Sequence, residues 1–174
     1  HFREPVRDVF LKNTRTGAIR PILDSTVLYP RFSAGGKYVY YFRDSLWRIT
    51  DVATGQTVSV SLGANRPLAD KTYDGAIDAV PSWGSLGIVN GDREFLFYDE
   101  YDIWSVTLPA LKYKRLTHGR EAGIRFRKMG KESFVWNGSQ LLIGKSDSGE
   151  IGIYRYSTNG NHIRLLYGRN MYSR

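Results

Sequence analysis

Cysteine is absent from this chain of 174 residues, and histidine occurs only three times. The lack of thiols excludes disulfide bonds, cysteine-ligated zinc and thiol nucleophiles. His118 and His162 are too few, and too far apart in sequence, to indicate a metal site. No apolar run approaches the roughly 18 residues that cross a bilayer, so we expect no membrane span. We also expect no metal and no other cofactor.

Acidic residues are scarce toward the end of the chain. From residue 112 onward there are 13 Lys and Arg against 4 Asp and Glu, whereas residues 1–111 hold 12 against 13. A one-sided basic excess can attract a polyanion. However, Arg125 and Arg127 alternate with Phe126, and Arg155 stands singly in an apolar run, as expected for strands with one solvated face. We therefore predict a solvated basic face and no nucleic-acid partner.

Helical periodicity is also missing. Short runs of β-branched and aromatic residues are broken by Gly, Asn and Asp, and pairs such as Gly35-Gly36 and Asn90-Gly91 supply residues that accept positive φ. This pattern predicts an all-β fold. The clearest predicted strands are 9–13, 38–42, 46–51, 57–62, 95–98, 103–108, 113–117, 141–145, 151–156 and 163–167.

An internal repeat gives the architecture. Residues 37–50 match residues 94–107 without a gap. The two segments share aromatic positions, a short acidic turn, a tryptophan (Trp47 and Trp104) and a final Thr. Each copy continues through a turn to one more strand, so one unit is about 35 to 40 residues long, the size of a propeller blade. A weaker third copy has Tyr154 at the Trp position, and residues 8–23 resemble the end of a fourth.

We therefore predict a partial β-propeller of three to four blades of antiparallel strands, forming a single segment over residues 1–174. Its predicted parts are a partial blade at 1–24, a blade at 29–63, an inserted loop at 64–83, and blades at 84–118 and 121–167. A twisted sheet of this kind has two apolar faces that only similar neighbouring sheets can cover. Trp47 and Trp104 are then predicted to pack between blades. Open faces or edges at the ends of the segment favour self-association.

Two motifs resemble a known family. The first is a strand-turn signature, close to the Ser-Pro-Asp-Gly-Lys turn of TolB-like and dipeptidyl-peptidase-type propellers: Phe32-Ser33-Ala34-Gly35-Gly36-Lys37-Tyr38-Val39. Ala34 and Gly35 depart from the usual Pro and Asp. The second is the series at 98–106, 115–120 and 124–127, which resembles the propeller of large secreted peptidases of the prolyl oligopeptidase and dipeptidyl peptidase IV family, of the Bacteroidetes type. The resemblance covers most of residues 29–128.

The resemblance implies a role without catalysis in these residues. In that family the propeller restricts access to, and shapes the cavity of, an α/β-hydrolase domain that carries the catalytic residues. No such domain is recognisable here, and the chain begins at His1 without an initiator Met, which suggests a piece of a longer or processed protein. The resemblance implies a secreted location, periplasmic or extracellular, with peptide substrate and the parent's hydrolase domain as partners. The alternative is a free-standing propeller-like module that binds a protein or glycan.

No catalytic, cofactor-binding or metal-binding residue is assigned from the sequence, and substrate-binding residues are left open. Gly144-Lys145-Ser146 lacks the final Gly of a nucleophile elbow and the first Gly of a phosphate-binding loop. The family's paired-glutamate motif has no counterpart here. The acidic run of Asp99, Glu100 and Asp102 suits either a hard cation or a hairpin turn, and the turn is favoured. An enzyme within these residues, such as a propeller glycosidase, is a remote third alternative.

Overall fold

The computed structural model describes residues 7–26, 29–75, 80–130, 136–159 and 162–168. The start of the chain at His1, the predicted turn residue Gly160 and residues 76–79 of the predicted insertion lie outside the described residues. The described residues form four antiparallel sheets, one of two strands and three of four. We number them sheets 1 to 4 in chain order.

The elements follow one another in a simple order. Sheet 1 contains β1 (Arg7–Lys12) and β2 (Ile19–Thr26). Sheet 2 contains β3 (Arg31–Phe32), β4 (Tyr38–Arg43), β5 (Leu46–Asp51) and β6 (Thr57–Val60). Sheet 3 contains β7 (Ser85–Val89), β8 (Glu94–Tyr98), β9 (Ile103–Thr107) and β10 (Tyr113–Arg115). After the short helix α1 (Gly119–Ala122), sheet 4 contains β11 (Ile124–Lys128), β12 (Ser139–Ser146), β13 (Ile151–Ser157) and β14 (His162–Gly168).

The all-β prediction is confirmed, and every one of the ten clearest predicted strands overlaps an observed strand. Those ten do not include the first strand of any four-stranded sheet. β3 has only two residues, and β7 is interrupted by Gly87 at φ 91 with a register shift beside it. β11 alternates basic and apolar residues, a pattern that indicates a strand. Its basic residues do not indicate that it is the first strand of a four-stranded sheet.

Two apolar layers hold the stack together, one between sheets 2 and 3 and the other between sheets 3 and 4. The buried residues of the first layer are Tyr38, Tyr40, Phe42, Trp47, Ile49, Val60, Leu68, Ile88, Phe95, Phe97 and Val106. Those of the second layer are Val89, Leu96, Tyr98, Ile103, Leu116, Phe126, Trp136, Leu142 and Tyr156. Neighbouring sheets therefore cover each other's apolar faces, as the repeat predicts.

The residue-by-residue match of the repeat is wrong in one respect. β5 pairs Trp47 with Phe42, whereas β9 pairs Trp104 with Phe97, which the ungapped match aligns with Tyr40. Trp47 belongs to the face of sheet 2 that meets sheet 3, and Trp104 packs against the same layer from the other side. Both tryptophans thus pack between sheets, but on opposite faces of their own sheets, because a shift of one residue reverses the direction of every side chain in a strand.

The turn between β3 and β4 is held by the next sheet. Asp92, buried in the turn between β7 and β8, accepts hydrogen bonds from the Ser33 hydroxyl at 2.9 Å and from the backbone N–H of Lys37 at 3.2 Å and Gly35 at 3.3 Å. A Cβ on Gly35 would lie 2.5 Å from the Asp92 carboxylate, so a larger residue here would have to displace that carboxylate. The strand-turn signature noted in the sequence is therefore a contact between sheets.

Candidate functional site

One face of the stack gathers most of the charged loops. In an antiparallel meander successive connections alternate between the two ends of the strands. The segments that link the sheets, at 61–84 and 116–123, therefore lie on the same side of the molecule as the connections between second and third strands, at 44–45, 99–102 and 147–150. We call this side of the molecule the loop face.

Asp102 is buried beneath the loop face and accepts hydrogen bonds from several of its segments. Its side chain is 0% exposed, and Arg115 donates to Oδ2 from Nε at 3.0 Å and from Nη2 at 2.6 Å. Oδ1 accepts from the Thr117 hydroxyl at 2.9 Å and from the Gly119 backbone N–H at 2.5 Å. Because one carboxylate joins β9, β10 and the start of α1, the loop that follows sheet 3 has a fixed position.

Arg115 also extends this network to the surface. Its guanidinium donates to both carboxylate oxygens of Glu121, at 2.6 and 2.5 Å. This paired hydrogen bond lowers the pKa of Glu121 to about 2. The helix α1 is thereby tied to β10 by charge-assisted hydrogen bonds.

Asp99 is the second fully buried carboxylate of the loop face. Its Oδ1 accepts from the backbone N–H of Tyr101 at 2.9 Å and of Asp102 at 2.6 Å, and its Oδ2 accepts from the indole of Trp104 at 3.2 Å. These bonds form a side-chain-capped turn, so the favoured interpretation of the acidic run as a turn agrees with the structure. No cluster of three or more potential metal ligands occurs in the described part of the chain.

Arg125 and Tyr101 occupy the side of the loop face nearest sheet 4. Arg125 lies between Glu100, at 3.2 Å, and Asp147, at 3.1 Å, and it covers the Tyr101 ring at 5.0 Å from the centroid. The Tyr101 hydroxyl donates to Asp147 at 3.1 Å. Burial, followed by this hydrogen bond, raises the pKa of Tyr101. The positive charge of Arg125 is therefore balanced by neighbouring carboxylates.

Arg127 lies deeper, beneath the same loop. It donates to the carbonyl oxygens of Asp99 and Glu100, both at 3.2 Å, and its guanidinium covers the Tyr98 ring at 4.7 Å. Burial lowers the pKa of Arg127. The two alternating arginines of β11 thus belong to the loop face, where the sequence pattern predicts only a solvated basic strand.

Arg66 and Arg120 differ from the other arginines of the loop face. Their guanidinium groups approach the same oxygen, Asp99 Oδ2, from Nη1 of Arg66 at 3.8 Å and from Nη2 of Arg120 at 3.6 Å, which is too long for a hydrogen bond. Buried Nη1 of Arg66 and buried Nε of Arg120 have no hydrogen-bond partner among the described residues. Sequence reasoning missed this pair, because Arg66 lies in the predicted insertion and Arg120 in the helix after sheet 3.

The other sequence motifs do not form a catalytic arrangement. Gly144, Lys145 and Ser146 end β12 and lead through a hairpin into β13, and the Ser146 hydroxyl bonds to Ser148 and to the Glu150 backbone. A nucleophile elbow instead needs a strand that turns into a helix. Where side chains are described, His118 is the only histidine, and it is exposed with no hydrogen bond to a serine.

Two clefts open between neighbouring sheets. One, of about 320 Å³, is lined by Tyr40, Trp47, Pro81 and other residues of sheet 2 and the segment before β7. The other, of about 750 Å³, lies between Asn90, Thr107 and Trp136. Half of the residues that line the first cleft are aromatic, and the Trp47 indole N–H in it has no hydrogen-bond partner in the described structure. No helix in the described part of the chain is long and apolar enough to cross a membrane.

Solved structures share this architecture. An oligogalacturonate lyase from Vibrio parahaemolyticus superposes with a TM-score of 0.56 at 12% identity, covering 94% of this chain and 47% of the lyase. The chain has the fold of a partial β-propeller. An oligogalacturonate lyase in complex with manganese gives 0.56 at 10% identity, with 97% and 48% covered. TolB from Acinetobacter baumannii gives 0.48 at 16% identity, with 91% and 37% covered.

The propeller segment spans about half of the length of the lyase structures that it matches. At these identities the likeness establishes the fold alone. No family model and no curated protein matches the sequence. The resemblance to prolyl oligopeptidase and dipeptidyl peptidase IV propellers therefore stays a prediction.

Proposed function

We propose that this chain is a non-catalytic propeller segment of a secreted peptidase of the prolyl oligopeptidase family, located in the periplasm or outside the cell. In this role the loop face restricts access to a hydrolase domain elsewhere in the parent protein and positions peptide substrates. The motif at 98–106 supports the proposal, since its residues Asp99 and Asp102 fix the shape of that face.

The observation that carries the proposal is the chemistry of the loop face. Its described polar groups form charge pairs and capped turns, such as Arg115 with Asp102 and Glu121, and Arg125 with Glu100 and Asp147. Such groups hold loops in place and recognise polar ligands. Covalent hydrolysis instead needs a nucleophile hydrogen-bonded to a base, and the described side chains include no Ser bonded to His118.

A fluorophosphonate probe tests the proposal, because it labels only activated serines. We expect no labelling of this chain, and labelling of the parent protein at one serine outside residues 1–174. Mass spectrometry of the labelled peptides locates the serine. Reproducible labelling of any serine within this chain would contradict the non-catalytic role. A parent reading frame without a hydrolase domain would contradict the peptidase assignment and favour a free-standing module that binds a protein or glycan.

The positioning role is tested on the parent protein with substrates of two lengths. Replacement of Arg125 with Gln should raise KM for a long peptide while leaving kcat/KM for a short chromogenic peptide nearly unchanged. The reason is that Arg125 holds together the loops of Glu100 and Asp147, which a long peptide contacts and a short substrate does not reach. Arg155→Gln, an exposed arginine on β13, is the control for loss of one positive charge. Equal effects of Arg125→Gln on both substrates would contradict the positioning role.

A further inference from the structure

We propose that Arg66 and Arg120 together bind one carboxylate group of an acidic ligand at the loop face. This inference rests on the proposed role of the loop face as a binding surface, and it names the chemistry that the surface recognises. The two side chains come from different segments, the linker between sheets 2 and 3 and the helix after sheet 3. They meet above Asp99, beside the rings of Trp104 and Tyr101.

Both arginines have unsatisfied hydrogen-bond donors. Each guanidinium carries five N–H donors, and Nη1 of Arg66 and Nε of Arg120 have no hydrogen-bond partner among the described residues. Arg66 is 29% exposed and Arg120 is 32% exposed, so both groups are half-buried but accessible from the loop face. Buried polar atoms in native proteins nearly always have a partner, so the two unsatisfied nitrogens set these arginines apart. A ligand would bond to the exposed N–H groups of each guanidinium.

The balance of charge is the second argument. Arg115 and Arg125 each contact two carboxylates, whereas Arg66 and Arg120 share the single carboxylate of Asp99. Arg127, whose guanidinium lies beneath the same loop, adds a further positive charge, so the arginines around Asp99 outnumber its one carboxylate. Asp70 of the neighbouring linker is engaged by Thr72 within its own turn. The surplus of positive charge favours an anionic ligand.

The geometry selects a planar oxyanion. A guanidinium presents parallel N–H groups that match the two oxygens of a carboxylate, and such charge-assisted bonds are stronger than neutral ones. The guanidinium carbon of Arg66 lies over the Trp104 ring at 5.2 Å and that of Arg120 over the Tyr101 ring at 4.8 Å, so both groups are held against an aromatic ring before a ligand arrives.

Two sources could supply this carboxylate: an acidic side chain of a peptide, or a sugar acid. NMR titration of the arginine Nε–H and tryptophan indole signals distinguishes them. The probes are a blocked Gly-Glu-Gly tripeptide with its Gly-Gln-Gly counterpart, and galacturonic acid with galactose. We expect saturable shifts at Arg66, Arg120 and Trp104 with at least one carboxylate probe and none with its neutral counterpart. The responsive probe identifies the source.

Variants make the assignment specific. Arg66→Gln and Arg120→Gln should each weaken binding of the responsive probe by about tenfold or more, because each removes charge-assisted hydrogen bonds. Arg66→Lys and Arg120→Lys keep the charge without the planar fork and should recover only part of the affinity. Arg155→Gln, an exposed arginine of β13, should leave binding unchanged.

Three results would overturn the inference. The first is the absence of saturable shifts with either carboxylate probe. The second is binding of inorganic phosphate at least as tight as that of the carboxylates, which would indicate an unselective anion site. The third is peptide binding to the loop face that is insensitive to Arg66 and Arg120. In that third case the proposed function would stand while the carboxylate site would fail.

Discussion

Two buried aspartates determine the shape of the loop face. Asp99 and Asp102 are both 0% exposed, and each accepts at least three hydrogen bonds from backbone or side-chain donors of neighbouring segments. A buried carboxylate is tolerated only when its oxygens are satisfied in this way. The acidic run is evident in the sequence, and its turn was predictable. The partners of Asp102 were not, because Arg115 and Gly119 lie in segments that meet it only after sheet 3 has formed.

Replacement of Asp102 with Ala should be severely destabilising. It leaves Arg115 and the Gly119 N–H without their buried acceptor, and loss of one member of a buried ion pair costs about 3–5 kcal/mol. Urea denaturation measures the free energy of unfolding. Asp24→Ala is the control, since Asp24 is 88% exposed and its pair with Arg43 at 3.6 Å is a surface ion pair. Equal losses in the two variants would contradict the structural role of Asp102.

The Glu121 carboxylate should titrate with a pKa of about 2, below its usual value of 4.5, because Arg115 stabilises the charged form. A lowered folded-state pKa means that the contribution of this pair to stability is fully present above pH 4.5 and is lost as the pH falls toward 2. The difference in unfolding free energy between the native chain and Glu121→Gln should therefore shrink over that interval. NMR titration of the side-chain carboxyl carbon measures the pKa directly, and a normal value would contradict the paired geometry.

At the scale of strands, the sequence predicted which segments form strands, but it did not predict the register in which the two copies of the repeat align. β4 is buried on both faces, with Val39 and Tyr41 on one side and Tyr40 and Phe42 on the other, so a one-residue slip of the repeat fits the apolar pattern equally well. The identity of Trp47 and Trp104 then favours the wrong alignment. The turn at Asp99 decides the register, because it ends β8 at Tyr98 while β4 continues to Arg43.

The contact between Asp92 and the β3–β4 turn gives a test at this scale. Asp92→Asn keeps a residue that tolerates the observed φ of 62 but loses the charge and one acceptor, and should lower the unfolding free energy by about 1–2 kcal/mol. Hydrogen exchange at Gly35 and Lys37 should become faster. Asp51→Asn, which alters a turn within sheet 2 alone, should leave those amides unchanged. Unchanged exchange in Asp92→Asn would contradict the coupling between sheets.

At the scale of the whole molecule, the two end sheets present apolar residues to solvent. Phe10 and Ile19 are exposed on sheet 1, and Leu165 and Tyr167 on sheet 4. The inner sheets bury the corresponding faces in the two layers. We expect the isolated chain to self-associate through these ends. Light scattering over a range of concentrations measures this, and a constant monomer mass at high concentration would contradict it.

The mutual covering of sheets 2 and 3 is the central claim, and a double-mutant cycle between Trp47 and Phe95 tests it most directly. Their rings lie 5.3 Å apart across the first layer. Trp47→Leu and Phe95→Leu should show a coupling energy of about 0.5–1.5 kcal/mol in urea unfolding. Trp47→Leu combined with Tyr156→Phe, which lies in the second layer, should be additive. Additive behaviour of Trp47 and Phe95 would contradict the stacked-sheet account.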